Sequence, residues 1–216
     1  MADQGSLNQL LQWSIENSEE ARNDPNQQDR DPSRGINSKM IAELMGGPSD
    51  ADLMREAMSA IVAPLSQVDL ENKLIAWDNF EQLIEQLDND KNMEPMGLWQ
   101  PLIQQLESEI ADCRAMAAWC CSTAVQNNVK SQERLQALGG VSKLAKQAVQ
   151  DEDKTARKKA VNALSSHVRN FQPGLDELEG ALPDSVWKRK GLEAGDMDSV
   201  DELIQTLRDQ AAREGA

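Results

Sequence analysis

Three stretches decide the fold: NKLIAWDNFEQLIEQLDN at 72–89, RAMAAWCCSTAVQNN at 114–128 and RKKAVNALSSHVRNF at 157–171. Each repeats apolar residues three and four apart, the spacing of one helical face. They also match one another. Ala76, Trp77 and Leu83 fall 42 residues before Ala118, Trp119 and Val125. Arg114, Ala117, Ser122, Val125 and Asn127 fall 43 before Arg157, Ala160, Ser165, Val168 and Asn170. The segments upstream repeat as well, since Gly97, Leu102 and Leu106 lie 42 before Gly139, Leu144 and Ala148. A helical period of about 40–47 residues marks an armadillo or HEAT solenoid, in which no single repeat can bury its own apolar face. The expected fold is all-α: a short, armadillo-like right-handed superhelix.

Turn and cap signals fall between the copies. Ser131 is placed to cap SQERLQAL, and Gly139-Gly140 to turn the chain before VSKLAKQAV. Acidic residues 151–153 suit the positive start of the next helix. Upstream, Met40, Ile41, Leu44 and Met45 form one short face, closed by Gly46-Gly47-Pro48. Ser49, Asp50 and Asp52 can cap the following helix, whose apolar set runs from Leu53 to Val62 before Pro64. Beyond Pro173 a short helix is expected over 175–182 and a loop over 187–196. Met197, Val200, Ile204, Leu207 and Ala211 then mark a last amphipathic helix that would close the open end of the stack. The expected organisation is a flexible segment over 1–39, helical repeats over 40–182, and a loop with a capping helix over 183–216.

The first segment has its own pattern. In LNQLLQWSI at 7–15, Leu7, Leu10, Leu11 and Ile15 share a helical face with Trp13 beside it. Residues 16–39 follow with only Ala21 and Ile36 as apolar side chains and Asp-Pro breaks at 24–25 and 31–32. Such a stretch cannot bury enough surface to offset its ordering entropy. An apolar peptide on a tether is expected, either docked on the body or gripped by a partner.

Composition narrows the function. The 216 residues carry 37 acidic against 22 basic side chains, a net charge of −15. That field disfavours nucleic acid and anionic membrane as partners. Aromatics are only 3% and Tyr is absent, which argues against β-sandwiches and barrels. Cys113, Cys120 and Cys121 are odd in number and no secretion signal opens the chain, so reduced thiols in the cytoplasm or nucleus are expected. With no second Cys or His cluster, they read as small buried hydrophobes rather than zinc ligands. The single His167 reads as a packing or surface residue. The sequence lacks a nucleophile elbow, P-loop, zinc-protease helix and dinucleotide turn, so neither catalysis nor a cofactor is expected. Charge is uneven: residues 40–113 hold 15 acidic and 3 basic side chains, while 143–170 hold 7 basic and 3 acidic. This is either a solvated surface or a dipolar one that orients a partner.

The helices also suggest a face. Leu74, Trp77, Phe80, Leu83, Ile84 and Leu87 point inward, and Trp119, set against Trp77, is expected in the core with it. The Trp-x-x-x-Asn ladder of nuclear-import armadillo proteins is missing, because Glu81 and Thr123 stand four residues on. Opposite lie Glu81, Glu85, Asp88 and Asn89, then Gln126, Asn127 and Asn128, then Ser166, Arg169 and Asn170. The third helix of an armadillo unit lines the concave surface, so these residues would form one polar stripe. Asn89, Asn127 and Asn170 suit hydrogen bonding across an interface, and equally suit helix C-capping.

Several strings resemble one family. LLQWSIENS near the start, LMREAM at 53–58, DLENKLIAWDNFEQLIEQLDN at 69–89, TAVQNN at 123–128 and ALSSHVRN at 163–170 are similar to the fungal armadillo-type nucleotide exchange factors of the 70-kDa heat-shock chaperone. These are relatives of the animal protein that binds the same chaperone. The resemblance spans about residues 6–171 and weakens after Pro173, where some relatives continue with further repeats. It implies a monomeric cytosolic co-chaperone without an active site. The concave stripe would hold lobe II of the chaperone's ATPase domain and favour an open nucleotide cleft, so that ADP leaves. It also implies that the N-terminal peptide, Leu7, Leu10, Leu11, Trp13 and Ile15, reaches the peptide-binding domain and helps substrate leave. The tether would give a reach of roughly 25–30 Å. The residues alone also allow a general armadillo adaptor for an extended peptide.

Overall fold

The computed structural model describes residues 48–86 and 93–213. They form nine α-helices and no strand. These are α1 (Asp50–Val62), α2 (Leu70–Ile84), α3 (Trp99–Gln104) running into a 3-10 turn (Gln105–Glu107), α4 (Ala111–Val125) and α5 (Val129–Ala137). There follow α6 (Gly140–Gln150), α7 (Lys154–Val168), α8 (Gln172–Ala181) and α9 (Met197–Ala212). Residues from Leu53 onward form one compact unit. Before it, the described residues are the start of α1, where the Ser49 hydroxyl accepts the Asp52 N–H at 3.2 Å and donates to the Asp52 carboxylate at 2.7 Å. The short helix expected over 40–45 lies outside the described residues.

Helices α2, α4, α7 and α9 pack side by side in that order, with α3 and its 3-10 turn against α4 and with α6 against α7. This is an armadillo-like α-solenoid. One core runs through it, from Trp77 and Phe80 past Trp99, Cys120 and Leu164 to Leu203 and Leu207. Helix α4 has a neighbour on either side, and its Ala117, Ala118, Cys120, Cys121 and Ala124 are all buried. A helix enclosed this way needs small apolar residues around most of its circumference.

Helices α2, α7 and α9 each start on a side-chain cap that binds an orphan backbone N–H. Asp69 accepts from Asn72 at 2.9 Å, Asp153 from Ala156 at 2.8 Å and Asp196 from Ser199 at 3.4 Å. The expected Ser131 cap is displaced. Helix α5 begins at Val129, so Asn128 caps it by accepting the Ser131 N–H at 3.2 Å, and Ser131 is buried inside the first turn. At Gly139 the chain turns into α6 with φ of 71°, the left-handed region that glycine enters without strain.

A second device recurs at the fourth residue of α2, α4 and α7, where a long cation grips the carbonyl end of the preceding helix or turn. The Lys73 ammonium donates to the carbonyls of Ile61 at 2.6 Å and Ala63 at 2.5 Å. The Arg114 guanidinium donates to those of Ser108 at 2.9 Å and Glu109 at 3.3 Å, and pairs with Asp151 at 2.7 Å. Arg157 donates to Asp151 O at 2.6 Å and Glu152 O at 3.0 Å. It also reaches the end of α9, at Ala211 O (3.1 Å) and Arg213 O (2.7 Å). The last carbonyls of a helix lack partners and carry partial negative charge, so a cation there satisfies both needs.

The C-terminal part holds to the same body. Helix α8 starts earlier than the sequence suggests, at Gln172, with Pro173 in its first turn, where the missing N–H is no loss. The loop expected over 187–196 has no regular structure. The buried Glu179 carboxylate pins it by accepting the N–H of Gly191 at 2.8 Å and of Leu192 at 3.4 Å. Helix α9 then buries Val200, Leu203, Ile204, Leu207 and Ala211.

Candidate functional site

The third helices turn one side to the stack and the other to an open concavity of about 1640 Å³. Glu85, Trp119, Gln126, Lys130, Ser166 and Arg208 are on its wall, so α2, α4, α5, α7 and α9 all contribute. Both signs of charge are present: Glu85, Glu94 and Glu133 against Lys130, Arg134 and Arg208. Arg134 pairs with Glu94 at 2.6 Å. Across the middle, the hydroxyls of Ser122 and Ser166 lie 3.0 Å apart, tying α4 to α7.

Of the ten residues assigned to the stripe from sequence, five meet here: Glu85, Gln126, Asn127, Asn128 and Ser166. Three do not. Glu81 was expected to face outward but is only 6% exposed, and its carboxylate accepts from the Thr123 hydroxyl at 2.8 Å. It is held between α2 and α4, an environment an isolated helix wheel cannot show. Arg169 is half-buried away from the concavity, where it pairs with Asp201 and lies 3.6 Å from the Met197 sulfur. Asn170 is in a turn facing the C-terminal loop and donates its N–H to Ala194 O at 3.0 Å. Asp88 and Asn89 lie outside the described residues, as do Leu7, Leu10, Leu11, Trp13 and Ile15 and the inward assignment of Leu87. Asn127 and Asn170 have φ of 55° and 56°. That left-handed geometry at helix ends is the capping role left open above. Asn127 also lines the concavity, so there the two roles coincide.

The larger correction concerns Trp119. Trp77 is fully buried, but Trp119 is 38% exposed on the concavity. The helix boundaries explain it. Helices α2 and α4 begin at Leu70 and Ala111 and end at Ile84 and Val125, so their true offset is 41, not 42. Trp77 therefore matches Ala118, and Trp119 matches Asp78. One residue of slip turns a side chain by about 100° around the axis, enough to move it from core to surface. The same shift pairs Asn127 with Gln86. The Lys159 ammonium of α7 sits 3.1 Å from the centre of the Trp119 ring, a cation–π contact that braces it from the next repeat. Burial lowers the Lys159 pKa, while Glu81 opposes that shift.

Other reactive groups lie inside the stack. Burial pushes the Cys121 thiol up to about 12 and Cys120 well above its usual value, so both stay protonated and are poor nucleophiles and ligands. His167 is fully buried edge-on to Phe171, ring centres 5.3 Å apart, and burial lowers its pKa to about 4. Among the described residues no group of three or more His, Cys, Asp or Glu could hold a metal ion, and no helix is long and apolar enough to cross a membrane.

A helical-repeat fold with a wide, polar, mixed-charge trough and inert buried thiols defines a protein-binding scaffold. The comparisons agree. The crystal structure of an engineered protein superposes with a TM-score of 0.53 over 82% of this chain and 72% of its own, at 17% identity, a likeness of fold alone. A family model described as nucleotide exchange factor Fes1 matches residues 7–93. Proteins named Hsp70 nucleotide exchange factor FES1 are similar over most of this chain. The one from Gibberella zeae is 48% identical over 96% of this chain and 97% of its own length. The one from Coccidioides immitis is 48% identical over 94% and 97%. The chain belongs to the Fes1 family.

Proposed function

We propose that this protein is a nucleotide exchange factor for a cytosolic 70-kDa heat-shock chaperone, and that it works by binding rather than by catalysis. The observation that carries this reading is near full-length similarity, 48% identity over 96% of the chain, to a protein named for that activity. The fold supports it. A trough of about 1640 Å³ suits a folded surface better than a small substrate. In this reading the trough clasps lobe II of the ATPase domain, Glu85, Gln126, Asn127, Asn128 and Ser166 contact it, and Trp119 is its aromatic anchor.

The work done is a coupling energy. A scaffold that holds the open ATPase domain more tightly than the ADP-closed one must weaken ADP binding by the same factor. A 100-fold loss of ADP affinity needs about 2.7 kcal/mol, within reach of an interface of ordinary size. The factor acts as a monomer. The peptide carrying Leu7, Leu10, Leu11, Trp13 and Ile15 serves a separate step, release of substrate from the peptide-binding domain.

The test is release of fluorescent ADP from a purified Hsp70 ATPase domain. Saturating protein should accelerate release; an unchanged rate would reject the reading. Deleting residues 1–35 should spare ADP release and slow substrate release. A general peptide adaptor would instead bind extended peptides tightly without the ATPase domain.

A further inference from the structure

We infer that α9 supplies the last rung of the binding trough, and that Arg208 is its contact residue, seeking a carboxylate on the chaperone's ATPase domain. This deepens the exchange-factor reading and rests on it. The sequence suggests only a cap for the open end of the stack, but α9 does more than cover it. It packs along α7, but antiparallel to it, whereas α2, α4 and α7 run parallel, so the series of third helices ends on a helix of reversed direction. It is fastened there at both ends. Arg157 of α7 holds its last carbonyls, at Ala211 and Arg213, and Arg169 pairs with Asp201 near its start. Such double fastening fixes the rotation of α9, and with it the direction of each exposed side chain.

The rotation leaves Leu203, Ile204, Leu207 and Ala211 in the core and brings Arg208 to the trough wall, which Asn162 and Ser166 of α7 also line. Two arginines line that wall. Arg134 is neutralised by Glu94, whereas Arg208 has no hydrogen-bond or ion-pair partner among the described residues. The contrast extends to the other arginines around it. Arg114, Arg157, Arg169 and Arg189 all bind carboxylates or carbonyls of the chain itself. A guanidinium on a concave wall with its donors free is available to a bidentate carboxylate from outside. Lys159 near the same wall adds positive charge, although its ammonium is partly engaged by Trp119. The partner surface facing this end of the trough should therefore be acidic, while the end near Glu85 should meet neutral or basic groups.

The experiment compares full-length wild type with Arg208→Glu, Arg208→Gln and Lys188→Glu, the last being the same charge reversal on an exposed loop residue outside the trough. Binding to the Hsp70 ATPase domain is measured by calorimetry across a salt series, with ADP release and thermal melting in parallel. Arg208→Glu should weaken binding at least tenfold and slow exchange at subsaturating protein, with an unchanged melting temperature. Arg208→Gln should weaken it less and flatten its salt dependence. Lys188→Glu should match wild type. Full affinity in Arg208→Glu, with wild type active, overturns the role of α9 and leaves the exchange-factor reading intact. Equal loss in Lys188→Glu overturns it too, since the effect would then be one of net charge. A wild type that neither binds nor accelerates release overturns both.

Discussion

The stack side and the trough side of α2, α4 and α7 obey different rules. On the stack side the same solution recurs: a cation at the fourth helical residue, Lys73, Arg114 or Arg157, closes the carbonyl end before it. At the register of Trp119 stand Asp78 and Asn162; the three are unlike, and of them Trp119 and Asn162 line the trough. Every repeat meets the same problem of unsatisfied helix ends, so one answer serves all. In the proposed reading each rung of the trough would meet a different part of a folded partner, so no single answer would serve. Internal repetition therefore reports on packing, and departures from it report on recognition.

The two tryptophans give the widest contrast. Trp77→Ala should cost about 3–5 kcal/mol, the usual penalty for emptying a core site of that size; urea unfolding measures it, and a loss below 1 kcal/mol would deny the burial on which the register rests. Next comes the anchoring cation. Arg157→Ala leaves four carbonyls without their donor, two at the end of α6 and two at the end of α9, and should cost about 3 kcal/mol or more. Hydrogen exchange in the last turn of α9 should quicken most, and uniform quickening would contradict a local fastening.

Acid probes the same buried side. His167 has a pKa of about 4 in the fold against 6.5 in an open chain. Its proton is bound by the unfolded state first, so stability is complete above pH 6.5 and falls as pH drops toward 4. By pH 5, before most carboxylates titrate, the loss should be roughly 2 kcal/mol. A flat stability curve from pH 7 to 5 would mean the imidazole is not sealed in. The smallest stability effect belongs to the trough. Trp119→Ala should change unfolding by only about 1 kcal/mol, the worth of a half-exposed ring and its cation contact. Binding to the ATPase domain should nonetheless fall by tenfold or more, as for a central aromatic anchor. Normal affinity in this variant would place the interface elsewhere.

Reading the fold from sequence worked where physics is local and periodic. The spacing of Leu, Ile and Ala within each segment requires helices, and their recurrence every 41 to 43 residues requires a stack. The acidic residues 151–153 and the Gly139 turn mark helix boundaries for the same local reasons. The trough was half visible. Glu85, Gln126, Asn127, Asn128 and Ser166 follow from the helix wheel. Trp119 does not, because aligning it with Trp77 by identity hides a one-residue slip that only the helix ends reveal.

The sequence by itself established that this chain is a helical repeat, since hydrophobic periodicity is a property of neighbouring residues. The tertiary structure alone decided which polar residues are free to meet a partner. Glu81 is consumed by Thr123 and Arg169 by Asp201, whereas Arg208, far along the chain, is carried onto the trough by the way α9 lies on α7. Such outcomes depend on what each side chain meets across 30 or more residues of intervening chain, and no local pattern encodes that.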